Sequence, residues 1–567
     1  MKIALAQQNY HIGNFEYNRN KIIEGILWAK QKGADLVVFP ELCICGYPPR
    51  DFLEFNDFIN SCCSSIDEIK QFADTIGVII GAPSRNKQKA GKELFNAAYL
   101  LYDKEIKAEI HKTLLPNYDI FDENRYFEPA NEWNVISFKG KKLAVTICED
   151  IWNMGDNPLY RITPMEKLML QQPDVMINVS ASPFNVGQDI VRNSIVKAHT
   201  VKYKIPMLYC NAVGAQTEII FDGGSLVYDG NGNKVFEMKY FEEDYQIFDV
   251  SQFSTTETTT RNSDTTYFYS TKEIALEGNR LDYLTNEKNI LEIRKALVLG
   301  IRDYFSKMKF STAILGASGG IDSAVTQVLA VEALGKENVS AILMPSEFST
   351  NHSVTDATQL SINLECRHEI ISITNIFDAI LKELKPIFKD LPFDVTEENA
   401  QARIRGTILM AMANKFGSIL LNTSNKSELA TGYGTLYGDM AGGISVLGDL
   451  YKTQIYALAK LINSEKEIIP HSIIIKAPSA ELRHNQKDSD SLPEYSILDT
   501  ILYEYIELRK SPNEIIAQGF ENKRVSKILN LVNHNEYKRN QFCPILRVSN
   551  KSFGTGRRMP IVGKYLM

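Results

Sequence analysis

The sequence predicts an α/β protein with two domains, and three observations support this. The 567 residues exceed what one hydrophobic core usually organises, so more than one domain is expected. Short apolar runs alternate with stretches that repeat apolar residues every three to four positions, as strands and helices do in layered α/β folds. In the second half this alternation becomes a strand–helix–strand series, which is typical of a doubly wound parallel sheet.

Composition excludes several classes of protein. The net charge of -7 argues against bulk binding to nucleic acid or a membrane surface. No uninterrupted apolar run approaches the roughly 20 residues of a membrane span, and the first residues predict a strand rather than a signal peptide. Eight cysteines in so long a chain do not make a disulfide framework or a zinc-type pattern, so we expect a cytoplasmic protein.

The first half predicts an alternation of strands and helices. Its strand candidates are short apolar runs, and its helix candidates carry apolar residues three and four positions apart. The predicted strands are 3–7, 36–39, 78–81, 143–147, 175–179 and 207–210, and the predicted helices are 18–32, 58–75 and 189–203.

Three strand ends in this half carry unusual polar residues. Glu41 follows the run 36–39, Lys112 follows a strand-like segment, and Cys148 follows the run 143–147. Chemistry commonly lies where strands end in loops. A cysteine beside a general base and a cation is an activated nucleophile, because the base takes the thiol proton and the cation stabilises the anions that form. Each residue alone also has a plainer interpretation, as a small buried hydrophobe or as a capping or surface charge.

Three segments around these residues form a joint motif. They are 39–42 with Gly-Tyr at 46–47, 111–113 with 121–127, and 147–152. Their sequences resemble those of the nitrilase superfamily, in which a Glu-Lys-Cys triad cleaves amides and nitriles. The resemblance implies a four-layer α-β-β-α sandwich, with Glu41 as general base and Cys148 as nucleophile. It further implies that Lys112 and a backbone N–H near Glu149 stabilise the oxyanion, and that Glu123 orients Lys112.

Two further segments narrow this resemblance. Residues 114–119 read Leu-Leu-Pro-Asn-Tyr-Asp, and residues 178–184 read Asn-Val-Ser-Ala-Ser-Pro-Phe. They are similar to the glutaminase domain of glutamine-dependent NAD synthetases, which implies that Tyr118 and Ser182 contact glutamine. That family often has a basic residue where this chain has Gln188, so the resemblance assigns Gln188 to the substrate carboxylate through hydrogen bonds weaker than those of a cation.

A polar stretch of low complexity separates the two halves. Residues 251–266 are rich in serine and threonine and poor in apolar anchors, which is typical of a loop or linker. The aromatic residues at 267–269 favour packing over chemistry, and a long helical pattern at 287–308 opens the second half. We therefore predict domains at 1–265 and 286–567, joined by a linker at 266–285.

A glycine-rich turn is the strongest local feature of the second half. Residues 315–323 read Leu-Gly-Ala-Ser-Gly-Gly-Ile-Asp-Ser, between an apolar run and a helical pattern. Small residues let backbone N–H groups close on an anion, and the helix dipole favours negative charge there. Asp322 would repel phosphate, so its presence indicates a divalent cation between them. The plainer interpretation is a tight turn, and the Walker lysine is missing.

Other polar segments follow predicted strands of this half, and ligands of parallel sheets bind beyond the C-terminal strand ends. Gln401 and Arg405 share one helix face. The two arginines of this helix, Arg403 and Arg405, suit phosphate or carboxylate, and a solvated helix face is the alternative. Glu428 is placed to join Asp322 around magnesium, and Lys452 precedes a helix. The predicted strands are 312–315, 339–344, 369–373 and 419–422.

The turn at 318–323 resembles the pyrophosphatase loop of the N-type ATP pyrophosphatases. Segments 401–406, 422–428, 437–443 and 477–482 are similar to NAD synthetases within that group, which adenylate the carboxylate of deamido-NAD with ATP and magnesium before ammonia displaces AMP. The resemblance assigns ATP to Gly316, Ala317, Ser318, Gly319, Gly320, Ile321, Asp322, Ser323, Thr423, Lys452 and Ser479. It assigns deamido-NAD to Asn399, Arg403, Glu428 and Lys538, and magnesium to Asp322 and Glu428.

The C-terminal tail is strongly basic. After Glu536 the chain has no Asp or Glu, but it has seven lysines and arginines, at positions 538, 539, 547, 551, 557, 558 and 564. Such a patch suits a pyrophosphate. A solvated tail and a tail that contacts another subunit are the alternatives.

Together the resemblances of the two halves imply one reaction on small molecules, namely deamido-NAD, ATP and L-glutamine. Amidation of an adenylate requires neutral ammonia, and an amidase domain supplies it away from water. Two alternatives stay open: another glutamine-dependent amidotransferase with the same ATP loop, and a nucleotide-sensing binding protein with a vestigial triad. The family resemblance leads us to expect a homo-oligomer with no nucleic-acid or membrane partner.

Overall fold

The computed structural model describes residues 1–88, 90–154, 159–253, 271–276, 278–484, 486 and 492–564. The chain divides into two compact units, Met1–Thr271 and Lys272–Met567. Most of the predicted linker start and the aromatic residues at 267–269 lie outside the described residues. Within the described ranges, no helix has the length and apolar character needed to cross a membrane.

The first unit contains mainly short strands and five described α-helices. Its strands are Lys2–Gln7 (β1), Leu36–Val38 (β2), Gly77–Arg85 (β3), Leu94–Tyr102 (β4), Glu105–His111 (β5), Ile136–Phe138 (β6), Lys141–Ile147 (β7), Val175–Ser180 (β8), Met207–Asn211 (β9), Val213–Gln216 (β10), Ile219–Asp222 (β11), Leu226–Tyr228 (β12), Lys234–Glu237 (β13) and Asp244–Asp249 (β14). Its helices are Phe15–Gln31 (α1), Asn56–Ile69 (α2), Glu123–Tyr126 (α3), Pro164–Met169 (α4) and Gln188–Tyr203 (α5).

Two six-stranded sheets pack face to face in this unit. Their strand orders are β14-β1-β2-β3-β4-β5 and β13-β12-β9-β8-β7-β6. Because successive side chains of a strand point to opposite faces, Ile3 and Leu5 of β1 enter the core between the sheets, while Ala4 and Ala6 enter the core under α1 and α2. On the far side α5 packs against β9 and β12. The predicted four-layer α-β-β-α sandwich is confirmed.

Two local predictions in this unit differ from the structure. The hairpin of β4 and β5 is absent from the predicted strands, although it carries Lys112 at its end. The predicted helix 58–75 ends at Ile69 and continues only as a 3-10 turn, Lys70–Phe72.

The second unit is built around a short parallel sheet. Its strands are Ala313–Gly316 (β15), Val339–Leu343 (β16), Arg367–Ile370 (β17), Ile419–Asn422 (β18) and Ile444–Ser445 (β19). Its helices, including one at the unit boundary, are Thr271–Leu276 (α6), Arg280–Thr285 (α7), Glu287–Met308 (α8), Ile321–Leu334 (α9), Asn351–Asn363 (α10), Thr374–Phe388 (α11), Val395–Phe416 (α12), Lys426–Thr431 (α13), Lys452–Ile462 (α14), His471–Ile475 (α15), Tyr495–Ile506 (α16), Pro512–Ile516 (α17), Asn522–His534 (α18) and Glu536–Arg539 (α19).

The strand order of this sheet is β17-β16-β15-β18-β19, with all neighbours parallel. The chain therefore starts in the centre and adds strands first on one side and then on the other, which confirms the predicted doubly wound sheet. The loops after β15 and β18 leave the sheet in opposite directions, and such a switch point forms a crevice for ligands.

Two segments of the second unit differ in position from the prediction. The strand predicted at 369–373 is β17, Arg367–Ile370, although the N–H groups of Ile371 and Ile373 still donate to the carbonyls of Leu343 and Pro345. The described part of the predicted linker holds α6 and α7. Their Ala275 and Leu284 are buried in the core of the second unit, so these residues fold with that unit.

Candidate active sites

The first unit brings four predicted residues together in its interior. Glu41 follows β2, Lys112 follows β5, and Cys148 follows β7, while Glu123 opens α3. All four side chains are buried. Lys112 Nζ lies 2.7 Å from Glu41 Oε1 and 2.8 Å from Glu123 Oε1, so one ammonium group bridges two carboxylates.

Further donors complete the hydrogen bonding of these carboxylates. Glu41 accepts from Asn96 Nδ2 at 2.7 Å and from the Ala181 backbone N–H at 3.0 Å. Glu123 accepts from the Tyr47 hydroxyl at 2.8 Å and from Asn96 Nδ2 at 3.3 Å. Asn96 is a site residue that sequence reasoning missed, and Tyr47 is a motif residue to which it gave no role.

Burial dominates the electrostatics of this cluster. It raises the pKa of Cys148 well above the usual value; the Glu41 carboxylate adds to the effect, and Lys112 opposes it. Burial alone would lower the pKa of Lys112, but Glu123 and Glu41 outweigh it and raise that pKa well above the usual value. The lysine therefore stays an ammonium ion, and the cysteine stays a thiol until a base takes its proton.

A tight turn presents the cysteine. Cys148 begins the 3-10 turn Cys148–Ile151 and has φ of +42°, a left-handed conformation that is costly for any residue but glycine. The Asp150 carboxylate accepts from the backbone N–H groups of Thr113 and Leu114, both at 2.9 Å. This side chain thus ties the turn of the cysteine to the segment that follows the lysine.

Glu149 forms a second acidic position next to the nucleophile. Its buried carboxylate accepts from the Tyr118 hydroxyl at 2.8 and 3.1 Å and from the Tyr160 hydroxyl at 3.1 Å. Burial raises the pKa of Glu149 to about 7, although both hydroxyl groups oppose the shift. Tyr118 is partly exposed. A carboxylate with only neutral donors beside it is suited to a cationic group of a ligand. Sequence reasoning assigned a role only to the backbone N–H near Glu149, not to its side chain.

The other two residues predicted to bind glutamine are Ser182 and Gln188. Ser182 is buried, and its N–H donates to Asn211 Oδ1 at 2.9 Å. It directly follows Ala181, whose N–H binds Glu41. Gln188 opens α5 and accepts from Asn185 Nδ2 at 3.2 Å, so no described hydrogen bond joins it to the triad.

The second unit contains a cavity of about 280 Å³ at the switch point of its sheet. Its wall includes the turn after β15, the loop after β18 and the start of α14. The predicted ATP residues that line it are Gly316, Ala317, Ser318, Gly320, Ile321, Asp322, Ser323, Thr423, Lys452 and Ser479. Gly319 supports the turn from behind: it has φ of +74°, and a Cβ there would lie 2.3 Å from the Ser353 carbonyl oxygen.

The turn leaves a helix N-terminus facing this cavity. Ser323 Oγ donates to the Gly320 carbonyl at 3.0 Å, and Ser318 Oγ accepts from the Gly320 N–H at 3.2 Å. Gly320 provides no side-chain cap for α9. Backbone N–H groups at such a position suit an anion.

Two carboxylates of the cavity share one cation. Lys452 Nζ lies 2.5 Å from Asp322 Oδ2 and 3.4 Å from Glu428 Oε1, while Asn425 donates to Asp322 Oδ1 at 2.9 Å. Both carboxylates are thus within reach of a single cation. In the described ranges, no group of three or more His, Cys, Asp and Glu forms a metal cluster. Two carboxylates fit magnesium, which takes its other ligands from phosphates and water.

The predicted deamido-NAD residues divide between two places. Glu428 lines the cavity, whereas the other three hold the neighbouring loop 432–436. They bind it as follows: Asn399 at the Thr435 hydroxyl, Arg403 at the Leu436 carbonyl, and Lys538 at the Gly432 and Gly434 carbonyls.

Arg405 is the arginine that lines the cavity. Its Nε donates to the Met344 carbonyl at 3.0 Å and its Nη2 to Ser346 Oγ at 3.4 Å. Burial lowers the pKa of Arg405 to about 10, and the partners just named are neutral. Arg403 is exposed, so the structure separates the two arginines of this helix. Gln401, predicted on the same face, is buried and donates to the Leu482 carbonyl.

The buried arginines of the tail do not form the predicted pyrophosphate patch, because they bind groups of the protein. Arg539 donates to the carbonyls of Leu429 and Ala430, and both Arg539 and Arg557 bind the Glu536 carboxylate. Arg547 donates to carbonyls of residues 549 and 550. Arg539 thus fastens the tail to α13, whereas the described bonds of Arg547 and Arg557 lie within the tail or at its start.

Comparison with protein families finds two matches. Residues 2–260 match the carbon-nitrogen hydrolase family, and residues 293–542 match the NAD synthase family. A glutamine-dependent NAD(+) synthetase from Synechocystis is 43% identical over 566 residues, covering 99% of this chain and 98% of the relative. Another from Thermotoga maritima is 40% identical over 579 residues, covering 100% and 99%.

Solved structures match over the same length. A glutamine-dependent NAD+ synthetase from Acinetobacter baumannii, in complex with ADP, has a TM-score of 0.74 and 36% identity, covering 99% of this chain and 98% of that chain. A glutamine-dependent NAD(+) synthetase from Cytophaga hutchinsonii has a TM-score of 0.82 at 20% identity over the same shares, which supports the fold alone.

Proposed function

The chain belongs to the glutamine-dependent NAD(+) synthetases, and on that basis we propose how its residues divide the reaction. The enzyme amidates deamido-NAD with ATP through an adenylate, and glutamine supplies the nitrogen. The products are NAD(+), AMP, diphosphate and L-glutamate. One observation best supports two linked chemistries. One unit holds a buried Lys112 beside a thiol, and the other unit holds a phosphate-type loop and two carboxylates.

In the first unit we assign covalent catalysis to the buried cluster. Glu41 takes the proton of the Cys148 thiol, and the thiolate attacks the side-chain amide carbon of glutamine. Lys112, oriented by Glu123, stabilises the oxyanion together with a backbone N–H near Glu149. The proton passes to the leaving nitrogen, ammonia departs, and a glutamyl thioester remains. Water activated by Glu41 then releases glutamate and restores the thiol.

The surroundings of this cluster provide recognition of the amino-acid end of glutamine. We assign the substrate ammonium group to Glu149, because its buried carboxylate has only hydroxyl donors from Tyr118 and Tyr160 among its described hydrogen bonds. Tyr118 is partly exposed and so meets an entering ligand. Ser182 remains assigned to glutamine, and Gln188 remains assigned to its carboxylate.

In the second unit we assign ATP to the glycine-rich turn and the start of α9. Asp322 and Glu428 would hold magnesium, which neutralises phosphate charge when bound. Lys452 then exchanges its carboxylate partners for phosphate oxygens, and Ser479 adds a hydroxyl donor. Arg405 supplies a cation to the same cavity. Asn399, Arg403 and Lys538 are assigned to deamido-NAD together with Glu428, through the loop that they border.

Three broader assignments complete the proposal. We assign the glutaminase chemistry to residues 1–265 and the synthetase chemistry to residues 286–567, while α6 and α7 of the predicted linker 266–285 belong to the core of the second unit. The enzyme acts in the cytoplasm, in keeping with eight cysteines that are all free. It works as a homo-oligomer, without a nucleic-acid or membrane partner.

A labelling experiment tests this function. The purified chain is incubated with deamido-NAD, ATP, magnesium and glutamine carrying ¹⁵N in its side-chain amide. We expect the label in the carboxamide of NAD(+), with one AMP and one glutamate for each NAD(+) formed. If ATP is split instead with xanthosine monophosphate or aspartate, the alternative of another amidotransferase is correct. If no ATP is split with any acceptor, the alternative of a binding protein is favoured.

A further inference from the structure

Asn96 lies where the two carboxylates of the first unit's site meet. It belongs to β4 and is 1% exposed. Its Nδ2 donates to Glu41 Oε1 at 2.7 Å and to Glu123 Oε2 at 3.3 Å. Its backbone carbonyl accepts from the Lys112 N–H at 2.8 Å. One residue therefore contacts the proposed base, the proposed cation and the carboxylate that orients the cation.

The neighbours of Asn96 determine the orientation of its amide. Both side-chain contacts are carboxylate oxygens, and the amide oxygen would repel them, so the nitrogen must face them. The oxygen Oδ1 is then buried without a partner among the described residues. A buried acceptor without a partner destabilises a fold. An apolar side chain would stabilise this buried strand better. The amide therefore benefits the function of the site rather than the stability of the fold.

Three donors hold the side-chain carboxyl group of Glu41 in place. Its Oε1 accepts from Lys112 and Asn96, and its Oε2 accepts from the Ala181 N–H. Oε2 thus keeps a lone pair for the thiol proton, and the plane of the carboxylate is fixed. The charged and titratable groups around Glu41 are Lys112, Glu123 and Cys148, with Tyr47 behind Glu123. Asn96 is the neutral donor that separates the two carboxylates.

We propose that Asn96 is a positioning residue of the glutaminase reaction, which fixes the orientation of the Glu41 carboxylate and holds it apart from Glu123. This inference rests on the proposed function of the first unit. Carboxylates that face each other favour protonation. Loss of the neutral donor should therefore move the acid limb of glutamine hydrolysis to higher pH.

The test compares Asn96→Asp, which keeps the shape but adds a third carboxylate, with Asn96→Ala, which only removes the donor. The control is Asn18→Asp, because Asn18 is also a buried amide but donates to the carbonyls of His11 and Ile44 outside the site. Glutamine hydrolysis by the full-length chain is measured from pH 5 to 9 at saturating glutamine. Under this condition kcat reports the enzyme–substrate complex, in which the substrate already occupies Glu149. Tryptophan fluorescence checks that each variant is folded.

We expect Asn96→Asp to move the acid limb up by about one pH unit or more, a loss of about tenfold on that limb. Asn96→Ala should move it in the same direction by less, and Asn18→Asp should leave it in place. The inference is overturned if folded Asn96 variants keep the acid limb of the wild type. If Asn96→Asp does not fold, Asn96→Ala decides the question. An inactive wild type would instead overturn the proposed function, and this inference with it.

Discussion

The two proposed active sites are built in opposite ways. In the first unit the Lys112 side chain is 0% exposed, and it is enclosed by two carboxylates whose other donors come from the protein. In the second unit Asp322 and Glu428 are 17% and 19% exposed at the wall of a cavity. A small amide needs a few fixed atoms, whereas a nucleotide needs room and a loop that can surround phosphate. Mutation should therefore harm both fold and catalysis in the first site, but mainly catalysis in the second.

The largest effect is expected for Lys112→Met. It leaves two buried carboxylates without their cation, which should lower the free energy of unfolding by about 3–5 kcal/mol, and it removes the oxyanion partner, which should slow glutamine hydrolysis by about 10³-fold. Urea unfolding followed by tryptophan fluorescence reports this unit, because all three tryptophans lie at positions 28, 133 and 152. Lys107→Met, on the exposed part of β5, is the control. Equal stability of the two variants would contradict the account.

Asp322→Asn should reduce catalysis in the second unit without reducing the stability of the fold. We expect ATP-dependent NAD(+) formation to fall by about 10²-fold or more, because the metal carboxylate is lost, while glutamine hydrolysis and the unfolding of the first unit persist. Calorimetric titration with ATP and magnesium should show weaker binding, independently of turnover. Unchanged AMP release would refute the metal assignment.

Glu149→Gln should mainly affect glutamine binding. Removal of the anionic partner of an ammonium group should lower kcat/KM for glutamine by about tenfold. Burial raises the pKa of Glu149 to about 7, so in the wild type kcat/KM should increase as the pH rises through about 7 and the carboxylate forms. The variant should lose this step. Glu166→Gln, at the exposed pair with Lys202, should retain it. A step that persists in Glu149→Gln would contradict the assignment.

For His199→Gln we expect an effect on stability only. His199 Nε2 lies 2.7 Å from the Ile151 carbonyl at the end of the cysteine turn, and burial lowers the pKa of His199 to about 4. Between pH 6.5 and 4 the unfolded chain binds this proton and the folded chain does not, so acid destabilises the wild type. From pH 7 to 5 the variant, which does not titrate, should lose about 2 kcal/mol less. Parallel pH dependences in urea unfolding would contradict this.

The residues that carry the chemistry could be predicted because they interrupt regular patterns. Glu41, Lys112 and Cys148 are polar residues that each follow a strand-like run. The order and the sequences of the three segments around them agree with one family. The glycine-rich turn similarly separates a strand from a helix. These features are local, so they are visible without the fold.

Asn96 could not be predicted in the same way, because its partners are distant in sequence and its strand was missed. The β4–β5 turn uses Asp103 and Lys104, both with positive φ, whereas the usual signal of such a turn is Asn-Gly or Asp-Gly. The tail shows the converse problem. Its charge is evident from sequence, but the carbonyls that bind Arg539 come from α13, which only the fold reveals.

The division of labour between the units is tested most directly by Cys148→Ala with two nitrogen sources. NAD(+) formation from deamido-NAD, ATP and magnesium is measured with glutamine and, separately, with ammonium chloride at a pH where free ammonia is present. We predict no formation from glutamine and a rate close to that of the wild type from ammonium chloride. An equal loss with both sources, or retained synthesis from glutamine, would contradict the account.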